Sequence, residues 1–142
     1  MQAFPCSGCG SGCGILTGAA GNFSDGSGAN NYGDNANCKW MIAPPRASQV
    51  YIKFKDFQTE SCCDSVRVWQ CLDTSCSGNA TLLSTLQGSY PNGAVVTSTT
   101  GYVLVQFTSD FSVTSAGFQA HWSSSVVNAS ALAPVRPTCL LV

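Results

Sequence analysis

Nine cysteines in a chain of 142 residues constrain the fold more than any other feature. In a reducing cytosol so many thiols would be a liability unless they held metal, whereas outside the cell they form a disulfide framework. The extracellular reading follows. Cys71 and Cys76 stand close enough to close a small loop of their own. A zinc site built on Cys6-x-x-Cys9 with Cys13 or with Cys62-Cys63 finds no second spaced pair and no histidine to complete a standard ligand set. The same Cys-x-x-Cys lacks the βαβ context of a thiol redox enzyme.

The length suits one domain with a real core. Charged residues make up 9% of the chain, against about 25% in an ordinary soluble domain, so neutral polar groups must cover most of the surface. A net charge of −1 and six dispersed Lys and Arg leave no electrostatic footprint for nucleic acid. No stretch approaches the roughly 18–20 apolar residues of a membrane span, and Met1-Gln2-Ala3-Phe4-Pro5-Cys6 lacks the charged and apolar regions of a signal peptide. A processed or truncated start is therefore expected.

Three regions differ in composition: a Cys- and Gly-rich extension over 1–12, a domain over 13–123, and a Ser-, Ala- and Pro-rich tail over 124–142. Up to residue 37 the chain alternates Gly, Ser, Asn and Cys, which predicts cross-linked loop with at most one short strand. From Cys38 onward seven short β-branched and aromatic runs follow, at 39–43, 50–57, 66–69, 82–86, 94–98, 102–108 and 118–122. Val50, Ile52 and Phe54 share one face of their run while Lys53 and Lys55 share the other; Phe118, Ala120 and Trp122 alternate with Gln119 and His121 in the same way. Two sheets packed face to face bury both apolar sets, so the expected fold is an all-β, two-sheet antiparallel sandwich. Ala43-Pro44-Pro45-Arg46 and Ser89-Tyr90-Pro91-Asn92-Gly93 read as turns, and the chain after Trp122 reads as an irregular tail leaving the sandwich.

The order of features resembles the CUB domain family. Cys13-Gly14-Ile15-Leu16-Thr17-Gly18 looks like the family's Cys-Gly-Gly-x-Leu-x opening, and Asn31-Tyr32 with Asn35, Cys38 and Trp40 looks like its Tyr-x-x-Asn-x-x-Cys-x-Trp segment. Phe54, Phe57, Glu60 and Asp64-x-Val66-x-Val68 follow, and Phe107-Thr108-Ser109-Asp110 to Gly117-Phe118 closes the match. Two departures stand out: Gly26-Ser27-Gly28-Ala29-Asn30 replaces the family's Ser-Pro-x-x-Pro, and the short loop before Asp64 carries the adjacent pair Cys62-Cys63.

The resemblance implies a CUB-like jelly roll and a Cys13–Cys38 disulfide. It also implies a calcium site of Glu60, Asp64, Asp110 and the Ser112 carbonyl, on two loops at one end of the sandwich, an oxygen cage of the kind a hard cation takes. The competing reading makes Asp64 and Asp110 turn caps and leaves Glu60 solvated. Tyr32 and Phe111 are candidate contact aromatics, with Tyr32 equally suited to packing or local bonding. Cys6, Cys9, Cys62, Cys63 and Cys139 remain for further disulfides, an odd number, so at least one sulfur is free, modified or bonded to another chain. Sequons at Asn79 and Asn128 fall in an expected loop and the tail, and a third begins at Asn22.

Catalysis finds no nucleophile elbow, phosphate loop or dinucleotide fingerprint. His121, the lone histidine, is the outward member of a strand. The expected function is a non-catalytic extracellular interaction module, organised by Ca2+ and binding a protein or glycan. The alternative is a structural glycoprotein subunit whose terminal extensions join copies of itself into a filament or coat. A third reading, an accessory domain of a secreted enzyme, requires catalytic sequence elsewhere.

Overall fold

The computed structural model describes residues 13–126. Those residues form ten strands and no helix: β1 (Gly14–Leu16), β2 (Ala20–Ser24), β3 (Asn37–Ile42), β4 (Ala47–Gln58), β5 (Ser65–Cys71), β6 (Thr81–Leu86), β7 (Ser89–Tyr90), β8 (Ala94–Thr97), β9 (Tyr102–Thr108) and β10 (Gly117–Val126). One sheet has the order β1-β3-β9-β5-β6, the other β2-β10-β4-β7, with β8 also pairing β4. All pairings are antiparallel except β1 with β3. The alternation of β4 and β9 places Val50, Ile52, Phe54, Val103, Val105 and Phe107 in the interior, as a sheet with one wet face requires.

Aromatic rings dominate the space between the sheets. The Phe118 ring centroid lies 5.5–6.1 Å from those of Phe23, Trp40, Phe54, Phe57 and Phe107. Each such pair contributes about 0.5–1.5 kcal/mol beyond its buried area. The backbone at this point is held by the buried Asp25, whose Oδ2 accepts the Phe118 amide at 2.6 Å and whose Oδ1 accepts the Ser27 amide at 2.9 Å. Gly117, at φ 86°, passes so close to the Asp25 carboxylate that a Cβ would overlap it.

The seven expected runs correspond to β3, β4, β5, β6, β8, β9 and β10. The opening region departs from expectation, because two strands precede β3 where at most one was expected. Their hydrophobic signal is weak for physical reasons. β1 has only three residues and gains its pairing from β3. In β2 the position facing Trp122 is Gly21, where a Cβ would overlap the indole, so of its inward positions only Phe23 carries a side chain. The expected tail also starts too early: Ser123–Val126 continue β10, paired with β4 from Tyr51 to Ala47. Backbone ladder bonds are indifferent to the serine side chains that made this stretch read as irregular. Within the expected turn at 89–93, Ser89 and Tyr90 form the short β7.

Gly21→Ala should destabilise the protein by about 1–3 kcal/mol through overpacking. Gly33→Ala, where nothing lies within 4 Å of the added atom, should stay within about 0.5 kcal/mol. Denaturant unfolding of the two variants reads the difference.

Candidate metal centre

Three loops meet at one end of the sandwich, those joining β2 to β3, β4 to β5 and β9 to β10. The first and third are knitted together by Tyr32 N to Ser115 O at 3.1 Å, Asn35 N to Asp110 O at 2.7 Å and Ser109 N to Ala36 O at 3.1 Å. The Ser109 hydroxyl accepts from the Ala36 amide and donates to Gly33 O. The β4–β5 loop is anchored by Thr59, whose hydroxyl donates to Asp64 O at 3.2 Å and accepts the Gly88 amide at 2.9 Å.

Asp64 sits at the junction, wholly buried. Its Oδ2 accepts the Tyr32 hydroxyl at 2.6 Å and its Oδ1 accepts the Asp110 amide at 2.9 Å. The Glu60 amide in turn donates to the Tyr32 oxygen at 3.0 Å. Burial, and next the bond to Asp64, push the Tyr32 hydroxyl well above its usual range, so Tyr32 stays a donor. It is 2% exposed and its edge packs on Phe107 at 4.9 Å between centroids. Tyr32 is thus a structural member of the site, and of the two candidate contact aromatics only Phe111, 77% exposed, faces solvent.

Carboxylate oxygens of Glu60, Asp64 and Asp110 lie within 4.8 Å of one another, about twice the roughly 2.3–2.6 Å of a calcium–oxygen bond. Glu60 Oε1 is buried with no hydrogen-bond partner. Burial raises the Glu60 pKa, and the negative charges of Asp110 and Asp64 raise it further. Each Asp64 oxygen receives one neutral donor and retains a lone pair. A buried carboxylate, an orphaned carboxylate oxygen and a third acid make an electron-rich, oxygen-only pocket, and that donor set fits a hard divalent cation. The Ser112 amide donates to Asp110 Oδ1 at 3.2 Å, which places Ser112 in the same turn and shows Asp110 capping it as well as joining the cluster.

The other expected residues spread over the domain. Cys71 and Cys76 are bonded to each other, and Asp73 Oδ1 fills their loop by accepting from Ser75 N, Ser75 Oγ and Cys76 N. Cys62 and Cys63 are also bonded to each other. Cys13 and Cys38 are each disulfide-bonded, but the expected Cys13–Cys38 pairing is not among the disulfides that join two described residues, Cys62–Cys63 and Cys71–Cys76. Asn79 is exposed between β5 and β6, and Asn22 is exposed on β2, its Oδ1 3.1 Å from His121 Nδ1. Cys6, Cys9, Cys139 and Asn128 lie outside the described residues. The role of Tyr32 as a bridge between two loops is the feature the linear sequence conceals, since its partners are 28 and 32 residues away.

The CUB domain profile matches residues 9–122. The chain belongs to the CUB family. It is 33% identical to cubilin of Rattus norvegicus over 81% of this chain and 3% of that protein. It is 32% identical to an astacin-like metalloendopeptidase of Coturnix japonica over 87% of this chain and 29% of that protein. The chain thus spans a small part of each of these relatives. A crystal structure of the MASP-1 CUB2 domain bound to Ca2+ superimposes with a TM-score of 0.63 over 81% of this chain and 99% of that one, at 17% identity, a likeness of fold. No helix among the described residues is long and apolar enough to cross a membrane.

Folding holds a proton on Glu60 that the unfolded chain releases. In the ion-free CUB domain stability therefore falls as pH rises from the ordinary carboxyl value of 4.5 through the raised folded value. Glu60→Gln should match wild type below that pH and become the more stable protein above it, read as a pH series of melting temperatures in chelator. Tyr32→Phe should cost about 1–3 kcal/mol, since it leaves the Glu60 amide and Asp64 Oδ2 without their partner.

Proposed function

We propose that this CUB domain is a non-catalytic extracellular interaction module whose binding end is organised by calcium. Glu60, Asp64 and Asp110 would supply carboxylate ligands and Ser112 its carbonyl. The observation that carries the reading is Glu60 Oε1, buried and unpartnered among two further carboxylates. An ion there would offset their repulsion and tie the β4–β5 loop to the β9–β10 loop. Beside it Phe111 and Val113 are 77% and 62% exposed. Val113 is held at φ 61°, a conformation that costs a β-branched residue on the order of 1–3 kcal/mol. An apolar rim around an ordered ion suits a protein or glycan partner.

Extracellular placement is supported by the disulfides. Sugar at Asn79 and Asn22 is compatible with their exposure. A non-enzymatic role is supported by the match to the CUB family, since the similarity to the metalloendopeptidase covers 29% of that enzyme.

The melting temperature should rise with calcium over chelator and lose that response in Asp110→Ala. A ligand at about 100 times its Kd stabilises the folded state by about 2.7 kcal/mol. An equal response in the variant would remove Asp110 from the site, and no response in wild type would remove calcium from the function.

A further inference from the structure

Glu60 belongs to two clusters at once. Its carboxylate lies within 4.8 Å of the Asp64 and Asp110 oxygens, and also within 4.8 Å of the Cys62 and Cys63 sulfurs. The two sulfurs are joined across a single peptide bond, in a loop whose flanking residues Glu60 and Asp64 both belong to the carboxylate cluster. Both cysteines are exposed, whereas among the other described cysteines Cys71 and Cys38 are buried and Cys76 and Cys13 half-buried. A thiol reagent therefore meets the Cys62–Cys63 bond first, since exchange requires access to a sulfur along the attack line. The Cys62 carbonyl accepts the Gln87 side-chain amide at 3.3 Å, so the turn is fastened to the chain after β6 as well as to Thr59.

We propose that the Cys62–Cys63 disulfide selects between two cation sites that share Glu60: oxidised, the loop offers Glu60 to a hard cation with Asp64 and Asp110; reduced, Glu60 and the two sulfurs hold a soft divalent cation of the zinc class. The proposal rests on the calcium reading for its first half only. Opening the bond takes a dithiol reductant. One of its sulfurs attacks Cys62 or Cys63 and forms a mixed disulfide, and its second sulfur closes on the first, releasing the protein. The reductant leaves as a cyclic disulfide, and its two electrons and two protons remain as the two cysteine thiols. On binding, metal–sulfur bonds replace the S–H bonds and two protons pass to solvent. Two sulfurs and a carboxylate oxygen, with water in the fourth position of an open rather than a closed structural site, make a ligand set that a zinc-class ion accepts and calcium does not. With Glu60 drawn to the soft ion, the hard site keeps only two carboxylates, so the two occupancies oppose each other.

The test uses cobalt(II) as the spectroscopic probe of thiolate ligation. The protein is treated anaerobically with limiting dithiothreitol, and alkylation with mass mapping identifies the opened bond. The expected result is alkylation at Cys62 and Cys63 ahead of Cys13, Cys38, Cys71 and Cys76. A sulfur-to-cobalt absorption band should then appear at one equivalent in the reduced protein and be absent from the oxidised one. Glu60→Gln should weaken cobalt binding at least tenfold, and reduction should lower calcium affinity by a similar factor. No band from reduced wild type with Cys62 and Cys63 free, an unchanged cobalt affinity in Glu60→Gln, or the Cys71–Cys76 bond opening first would each overturn the proposal. The comparison of oxidised with reduced wild type needs no variant to fold. If the oxidised protein shows no calcium-dependent melting shift while the reduced protein binds cobalt, the calcium reading fails and the sulfur site stands.

Discussion

The buried carboxylate of Asp64 is the constraint on which the binding end depends. A wholly buried acid must be compensated, and its compensation is drawn from separate loops: the Tyr32 hydroxyl from the β2–β3 loop and the Asp110 amide from the β9–β10 loop. Tyr32 then passes the connection back to the Glu60 amide on the β4–β5 loop. Loops from both sheets are thereby fixed to one another by a few short polar bonds. The sandwich beneath supplies rigidity, with Phe118 in the centre of the aromatic cluster and Asp25 holding its backbone.

That polar junction leaves negative charge over. Asp64 meets neutral donors, Glu60 keeps a buried oxygen without a partner, and Asp110 joins them. Mutual repulsion costs stability at this end, and a bound cation would offset it through shared coordination. Burial first, and then the same charge, makes Glu60 resist ionisation in the absence of an ion. It also makes the neighbouring disulfide consequential, because any change in that short loop would move Glu60, a proposed ligand.

Much of the fold is legible in the sequence because strand period and burial coincide. Val50, Ile52 and Phe54 announce β4, and the run from Tyr102 to Thr108 gives β9 with its ends intact. The signal fades where packing uses the absence of a side chain, as at Gly21, or where pairing is carried by backbone alone, as at Ser123–Val126. At the candidate site, Glu60, Asp64 and Asp110 can be named from the family pattern. Their mutual distances and the bridge through Tyr32 arise only when distant loops are brought together, whereas the bond joining Cys62 to Cys63 is local but only one of several pairings that the odd set of cysteines leaves open.

A crystal structure grown in calcium, with the ion identified by its anomalous scattering, tests the central claim most directly. The account predicts one ion bound by carboxylate oxygens of Glu60, Asp64 and Asp110 and by the Ser112 carbonyl, with the Tyr32–Asp64 bond intact. A well-ordered loop end with no ion at those carboxylates, or with Glu60 turned out to solvent, would contradict it.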